Sequence, residues 1–194
     1  MDTIRADQLD FDPRTQMSRI FVEGFYPWIK SICEDKDTLT AVFAHMFDVS
    51  RFFVAVDGGR VAAMASCTSG VPPVALDRKT FSRVLGLVRG NISFMILKRH
   101  MMSNALPFDL SPKTGVIEFV ATSPDFQRRG AAYSLLEYVM ESQPFDSYVL
   151  EVADNNDAAI RLYEKLGFKE IRRVKGSKRS GVNEFVYMRT SRQD

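Results

Sequence analysis

Cysteine, histidine and tryptophan are scarce in this chain of 194 residues, which holds two, two and one of them. Cys33 and Cys67 show no CxxC spacing and have no histidine close by, so neither a zinc site nor a disulfide framework is expected. Two buried thiols in a reducing compartment are expected instead. Long apolar runs are also missing. The most apolar stretch, 84–97, is interrupted by Arg89 and Asn91 and is shorter than the roughly 20 residues of a membrane span. The start, Met1-Asp2-Thr3, lacks the basic and apolar parts of a secretory signal, so a cytoplasmic protein is expected. The net charge of +2 is too small to predict a nucleic-acid binder or a binder of anionic membranes. No Gly-Lys-Ser/Thr completes a Walker loop, and no triple-glycine dinucleotide fingerprint is present.

The composition present is that of an ordinary soluble domain, 45% hydrophobic and 26% charged. The length suits one domain, 1–194, with a sizeable core. Residues 3–5 suit a short strand. Asp12-Pro13 is a good helix start, followed by Met17, Ile20, Phe21 and Gly24 at helical spacing, and Pro27 should break or kink that helix near Tyr26. Leu39, Val42, Phe43, Met46 and Phe47 predict a second helix. Residues 52–56 and 61–66, joined by Asp57-Gly58-Gly59-Arg60, predict a hairpin. Two helices are expected over 78–88 and 92–102, broken at Gly90-Asn91. The second half alternates: strand 116–122, helix 130–142, strand 148–152, helix 157–166 capped by Asn156 and stopped by Gly167, then strands 168–174 and 184–188. That alternation predicts an α/β domain.

Chemistry is concentrated in two segments. In Val120-Ala121-Thr122-Ser123-Pro124-Asp125-Phe126-Gln127-Arg128-Arg129-Gly130-Ala131-Ala132, a strand enters a tight loop that opens a helix. Small residues leave the backbone approachable, first-turn amides point outward, and the helix dipole favours an anion. Arg128 and Arg129 add charge, and the arrangement suits a pyrophosphate. Alone, it fits tight helix–strand packing with two solvated arginines equally well. In the second segment, 150–168, Ala159, Leu162 and Leu166 should face the core. Tyr163 shares that side and reads either as a core aromatic or as a proton donor.

Together the two segments resemble the GCN5-related N-acetyltransferase (GNAT) superfamily. Gln127, Gly130 and Ala132 fit its Q/R-x-x-G-x-G/A motif, and Asn156, Ala159, Leu162, Tyr163, Gly167 and Phe168 fit its N-x-x-A-x-x-L-Y-x-x-x-G-F pattern. The likeness covers residues 116–188. Ala131 is smaller than the aliphatic residue common in the family. The resemblance implies a mixed, mostly antiparallel central sheet flanked by helices, with 75–107 as a helical insert. It implies acetyl-CoA as cosubstrate, with no metal. Val120, Ala121 and Thr122 would pair with the pantetheine arm; amides from Arg128, Arg129, Gly130, Ala131, Ala132 and Tyr133 would hold the pyrophosphate; Gln127, Asn156 and Ala159 would also bind the cofactor.

By the same resemblance Tyr163 would sit by the thioester sulfur as the acid, with a backbone amide near Val120 as oxyanion donor. Glu151, in the place where some relatives that acetylate ribosomal-protein N-termini carry a glutamate, and Glu118 are both candidates for the base; each also reads as a structural carboxylate, and a water relay is the third option. The acceptor would be a primary amine of a small molecule, a protein N-terminus or a lysine. A non-catalytic acyl-CoA sensor and a protein-interaction module are the rival readings. The apolar insert is expected to cover the acceptor site, form a homodimer contact or add core. His45 reads as a helix-face residue rather than a base, His100 as a solvated residue that could reach the substrate site, and 175–179 as a solvated hairpin loop, with binding to nucleic acid or an acidic partner the minority reading.

Overall fold

The computed structural model describes residues 1–102, 106–176 and 181–191, with side chains 100–102 also outside the description. The His100 side chain and most of the basic stretch 175–179 therefore lie outside the described residues. Seven strands form one sheet: β1 (Asp2–Arg5), β2 (Phe52–Asp57), β3 (Arg60–Thr68), β4 (Thr114–Thr122), β5 (Ser147–Ala153), β6 (Lys169–Lys175) and β7 (Glu184–Ser191). Their order is β1-β2-β3-β4-β5-β7-β6. Every neighbouring pair is antiparallel except β4 and β5, which run parallel. This is the mixed, mostly antiparallel α/β sheet that the resemblance implies.

Alternation along the strands separates two apolar clusters, one on each face of the sheet. One face packs α5 (Ala131–Ser142) and α6 (Asp157–Lys165) through Leu135, Leu136, Val139 and Tyr163 against Ile117, Leu150, Val152 and Val186. The other packs α1 (Arg14–Ile29), α2 (Lys36–Phe43) and α3 (Arg78–Leu85) through Met17, Phe21, Phe43 and Phe81 against Phe52, Val54 and Met64. Cys33 and Cys67 are both free and buried.

Three local expectations need correction. Pro27 does not end α1, which continues to Ile29; it sits in the last turn, where its missing N–H removes one bond and Lys30 N–H still reaches the Tyr26 carbonyl. The helix around Leu39 ends at Phe43, and Ala44–Met46 form a tighter turn. The break in the insert falls at Gly86, with φ +83°, and not at Gly90-Asn91, so α4 runs over Leu87–Met102. Gly90 serves a different purpose. A Cβ there would lie 2.4 Å from the Phe81 carbonyl oxygen, so glycine lets α4 press against the backbone of α3. His45 receives the Asp77 N–H on Nε2 at 2.9 Å, fastening the start of the insert to the α2 side of the core.

Candidate active site

The central strands part company at mid-sheet. β4 and β5 pair from Thr114↔Ser147 to Ile117↔Leu150, and no further partners join them although β4 continues to Thr122 and β5 to Ala153. The cause is visible in β4. Its register with β3 shifts between Met64 and Ser66, and Phe119 takes φ +55°, a conformation that costs a bulky residue energy. The bulge turns the end of β4 away from β5 and leaves Phe119 and Val120 without a strand partner at a cleft, while the Glu118 carbonyl still accepts from the Ser66 hydroxyl of β3 at 3.1 Å. Ala121 and Thr122 stay paired to β3.

At the end of that cleft the loop 127–130 leads into α5. Gln127, Arg128, Arg129 and Gly130 are all exposed, and Arg128 and Gly130 adopt φ +60° and +82°. No side chain caps α5; its first carbonyl bond is Ser134 N–H to Gly130 at 3.0 Å. The amides of Ala131, Ala132 and Tyr133 therefore meet no acceptor among the described residues, and nothing lies within 4 Å of a Cβ built at Gly130. Uncapped amides, an open approach and two arginines fit a diphosphate. Ala131 is the buried small residue of the pair and Ala132 the half-buried one; the alanine tucks α5 onto the sheet. Arg129 lies over the Phe126 ring, and Tyr133 lies beneath Lys165.

Tyr163 is the one fully buried side chain of α6, at 5% exposure, with Ala159, Leu162 and Leu166 packed around the same cluster. Its hydroxyl makes no hydrogen bond among the described residues, and burial raises its pKa, so the phenol keeps its proton. Asn156 spends its side-chain oxygen on the Ala159 N–H at 3.2 Å, capping α6; its amide nitrogen makes no bond among the described residues.

Glu118 and Glu151 follow Ile117 and Leu150, whose side chains face α5 and α6. Both carboxylates therefore project to the opposite face, at the mouth of the cleft. Burial, and then the charge of Glu151, push Glu118 up to about 7. Glu151 is reached by solvent but lies in a recess that raises its pKa, and a hydrogen bond from the Tyr187 hydroxyl opposes that rise. Tyr187 is a functional neighbour that sequence reasoning missed. It stands directly across from Glu151 in the β5–β7 pairing, a register that no local motif announces. The loop after the insert closes over it: Phe108 meets the Tyr187 ring edge-on at 5.6 Å, Arg189 lies over Phe108, and Arg172 donates to the Pro107 carbonyl. On the far side of the mouth, Trp28, Phe25 and Phe119 form an aromatic row with centroids 5.8 and 6.4 Å apart.

Solved structures share this architecture. An N-acetyltransferase from Staphylococcus aureus Mu50 superposes with a TM-score of 0.66 at 16% identity, over 98% of this chain and all of that one. A putative acetyltransferase from Salmonella typhimurium, solved with its cofactor acetyl-CoA, gives 0.59 at 16% identity, over 98% and 92% of the two chains. In sequence, the [ribosomal protein bS18]-alanine N-acetyltransferase of Salmonella typhimurium is 49% identical over 54 residues, 26% of this chain. This chain spans only 36% of that relative's length in the match. The profile of the acetyltransferase (GNAT) family matches residues 15–168, and the cleft, the uncapped helix start and the buried phenol all fall inside that span. The chain belongs to the GNAT acetyltransferase family.

Proposed function

We propose that this protein transfers the acetyl group of acetyl-CoA to a primary amine, and that the two sides of the β4–β5 cleft divide the proton chemistry between them. The observation that carries the reading is the placement of Tyr163 on the α6 face and of the Glu118–Glu151 pair on the other. The bound cofactor supplies an activated acetyl thioester. The amides of Ala131, Ala132 and Tyr133, with Arg128 and Arg129, hold its diphosphate, and the open edge of Val120 receives its arm and offers an amide to the developing oxyanion.

An acceptor amine arrives protonated at neutral pH, with a pKa of about 8 at an N-terminus and about 10 at a lysine. Glu151, whose ionised form the Tyr187 hydrogen bond favours against the effect of burial, attracts the ammonium. Glu118, pushed up to about 7, is matched to accept its proton near neutrality. Tyr163, neutral through burial, donates its hydroxyl proton to the departing sulfur. The acceptor in the relative's name, an alanine of ribosomal protein bS18, has no side-chain amine, which makes an α-amino group the first candidate.

Purified protein, acetyl-CoA and a panel of N-terminal peptides, lysine peptides and polyamines test this, with coenzyme A release followed by chromatography. Amine-dependent release is expected. Glu118→Gln should lower kcat/KM about 100-fold and remove the inflection near pH 7. Cofactor binding without turnover on any amine would overturn the catalytic reading in favour of an acyl-CoA sensor.

A further inference from the structure

Helix α4 is apolar on both sides, and only one side is covered. Gly90 and Ser93 are buried, and Phe94 and Leu97 pack towards α3. Yet Leu87, Val88, Ile92, Met95 and Ile96 stand between 53 and 76% exposed. At about 100° per residue, Val88, Ile92, Met95 and Ile96 fall on a single outward arc. Arg89 borders that arc on one side and Lys98 on the other, and Arg99 closes it at the C-terminal end, all three exposed.

The insert that carries this stripe holds charge of one sign. Between Asp77 and Asp109 the sequence carries Arg78, Lys79, Arg83, Arg89, Lys98 and Arg99 and no acidic residue. The whole-chain charge of +2 conceals this, because the remaining residues are net acidic. Two consequences bear on what covers the stripe. A second copy would bring an equally cationic face against this one, which like-charge repulsion opposes. Nucleic acid would meet the cations but leave the aliphatic stripe without an apolar counterpart. An aliphatic stripe bordered by arginine and lysine is the pattern of helices that lie in a membrane interface, where the stripe enters the acyl boundary and the long cationic side chains reach the phosphates.

We infer that the α4 face docks the protein peripherally on an anionic lipid surface. No helix among the described residues is long and apolar enough to cross a membrane, so the contact is one of surface partition. It is independent of the acetyl-transfer assignment, since it uses none of the residues proposed to act in the cleft.

Co-sedimentation of the full chain with phosphatidylglycerol–phosphatidylcholine vesicles, against vesicles of phosphatidylcholine alone, tests the inference. Binding to the anionic vesicles is expected, and it should weaken as salt rises. Ile92→Asp with Met95→Asp should lower it at least tenfold. Arg89→Gln with Lys98→Gln should also lower it more than tenfold, at roughly fivefold per cation. Acetyl transfer to a soluble amine should be unchanged in both variants, which also reports that they fold. Failure of the wild type to bind anionic vesicles, or equal binding by Ile92→Asp/Met95→Asp, would overturn the inference. So would a dimer in light scattering that the same pair of aspartates dissociates, which would assign the face to a second copy.

Discussion

On the α5–α6 face of the sheet the groups proposed to act are mainly backbone: amides at the start of α5, an opened strand edge, and a single phenol. On the α1–α4 face they are side chains drawn from distant strands: Glu118 on β4, Glu151 on β5 and Tyr187 on β7. A backbone site tolerates many side chains and needs small residues for approach. A side-chain site needs particular residues and a fixed register. The first arrangement suits an invariant ligand and the second a ligand that differs between enzymes, which is how one fold serves many acceptors.

Substitutions that hit one face alone measure this division. The largest effect is expected from Gly130→Glu, which puts bulk and negative charge where the diphosphate would lie. Because a Cβ there meets no protein atom, the fold should lose only about 1 kcal/mol from the positive φ, while coenzyme A affinity falls at least 100-fold by calorimetry. Unchanged affinity would remove the backbone site from the account. Tyr163→Phe comes next: kcat should fall about 100-fold, with the KM for acetyl-CoA nearly constant, because only the hydroxyl is lost from a packed ring. Equal loss in both constants would make Tyr163 a binding or packing residue.

The smallest and most selective effect is expected from Glu151→Gln. Burial and the Glu151 charge both hold Glu118 above the ordinary carboxylate value, so removing the charge leaves burial alone. The Glu118 pKa then falls, its ionised form persists to lower pH, and the acidic limb of the kcat/KM profile moves below about 7. A profile that stays in place would show that the two carboxylates are not coupled.

How far each face could be read in the sequence follows from the same contrast. The loop proposed to hold the diphosphate and the α6 segment are local: Gln127, Gly130 and Ala132, then Asn156 through Phe168, carry their meaning within a few residues. The two glutamates were legible as carboxylates in apolar strands, but their common face was not. It depends on the parallel register that sets Ile117 beside Leu150, and neither that register nor the positive φ of Phe119 just beyond it leaves a mark in residue type. Tyr187 was invisible for a related reason, since only the antiparallel register of β7 brings it to Glu151. The insert shows a local failure as well. Gly86 and Gly90 are equally plausible breaks from composition, and the choice between them is made by the Phe81 carbonyl, a contact across two helices. Averaging hid the charge of the insert as well, because +2 overall masks a stretch between Asp77 and Asp109 that carries only cations.

The two cysteines have a practical consequence. Burial pushes the Cys67 thiol up to about 12, so it carries almost no thiolate at neutral pH, and Cys33 is likewise hidden from solvent. An aromatic disulfide dye added to the folded protein should stay colourless until coenzyme A is liberated. Turnover can then be watched continuously by absorbance, and slow colour developing without acceptor would report opening of the core.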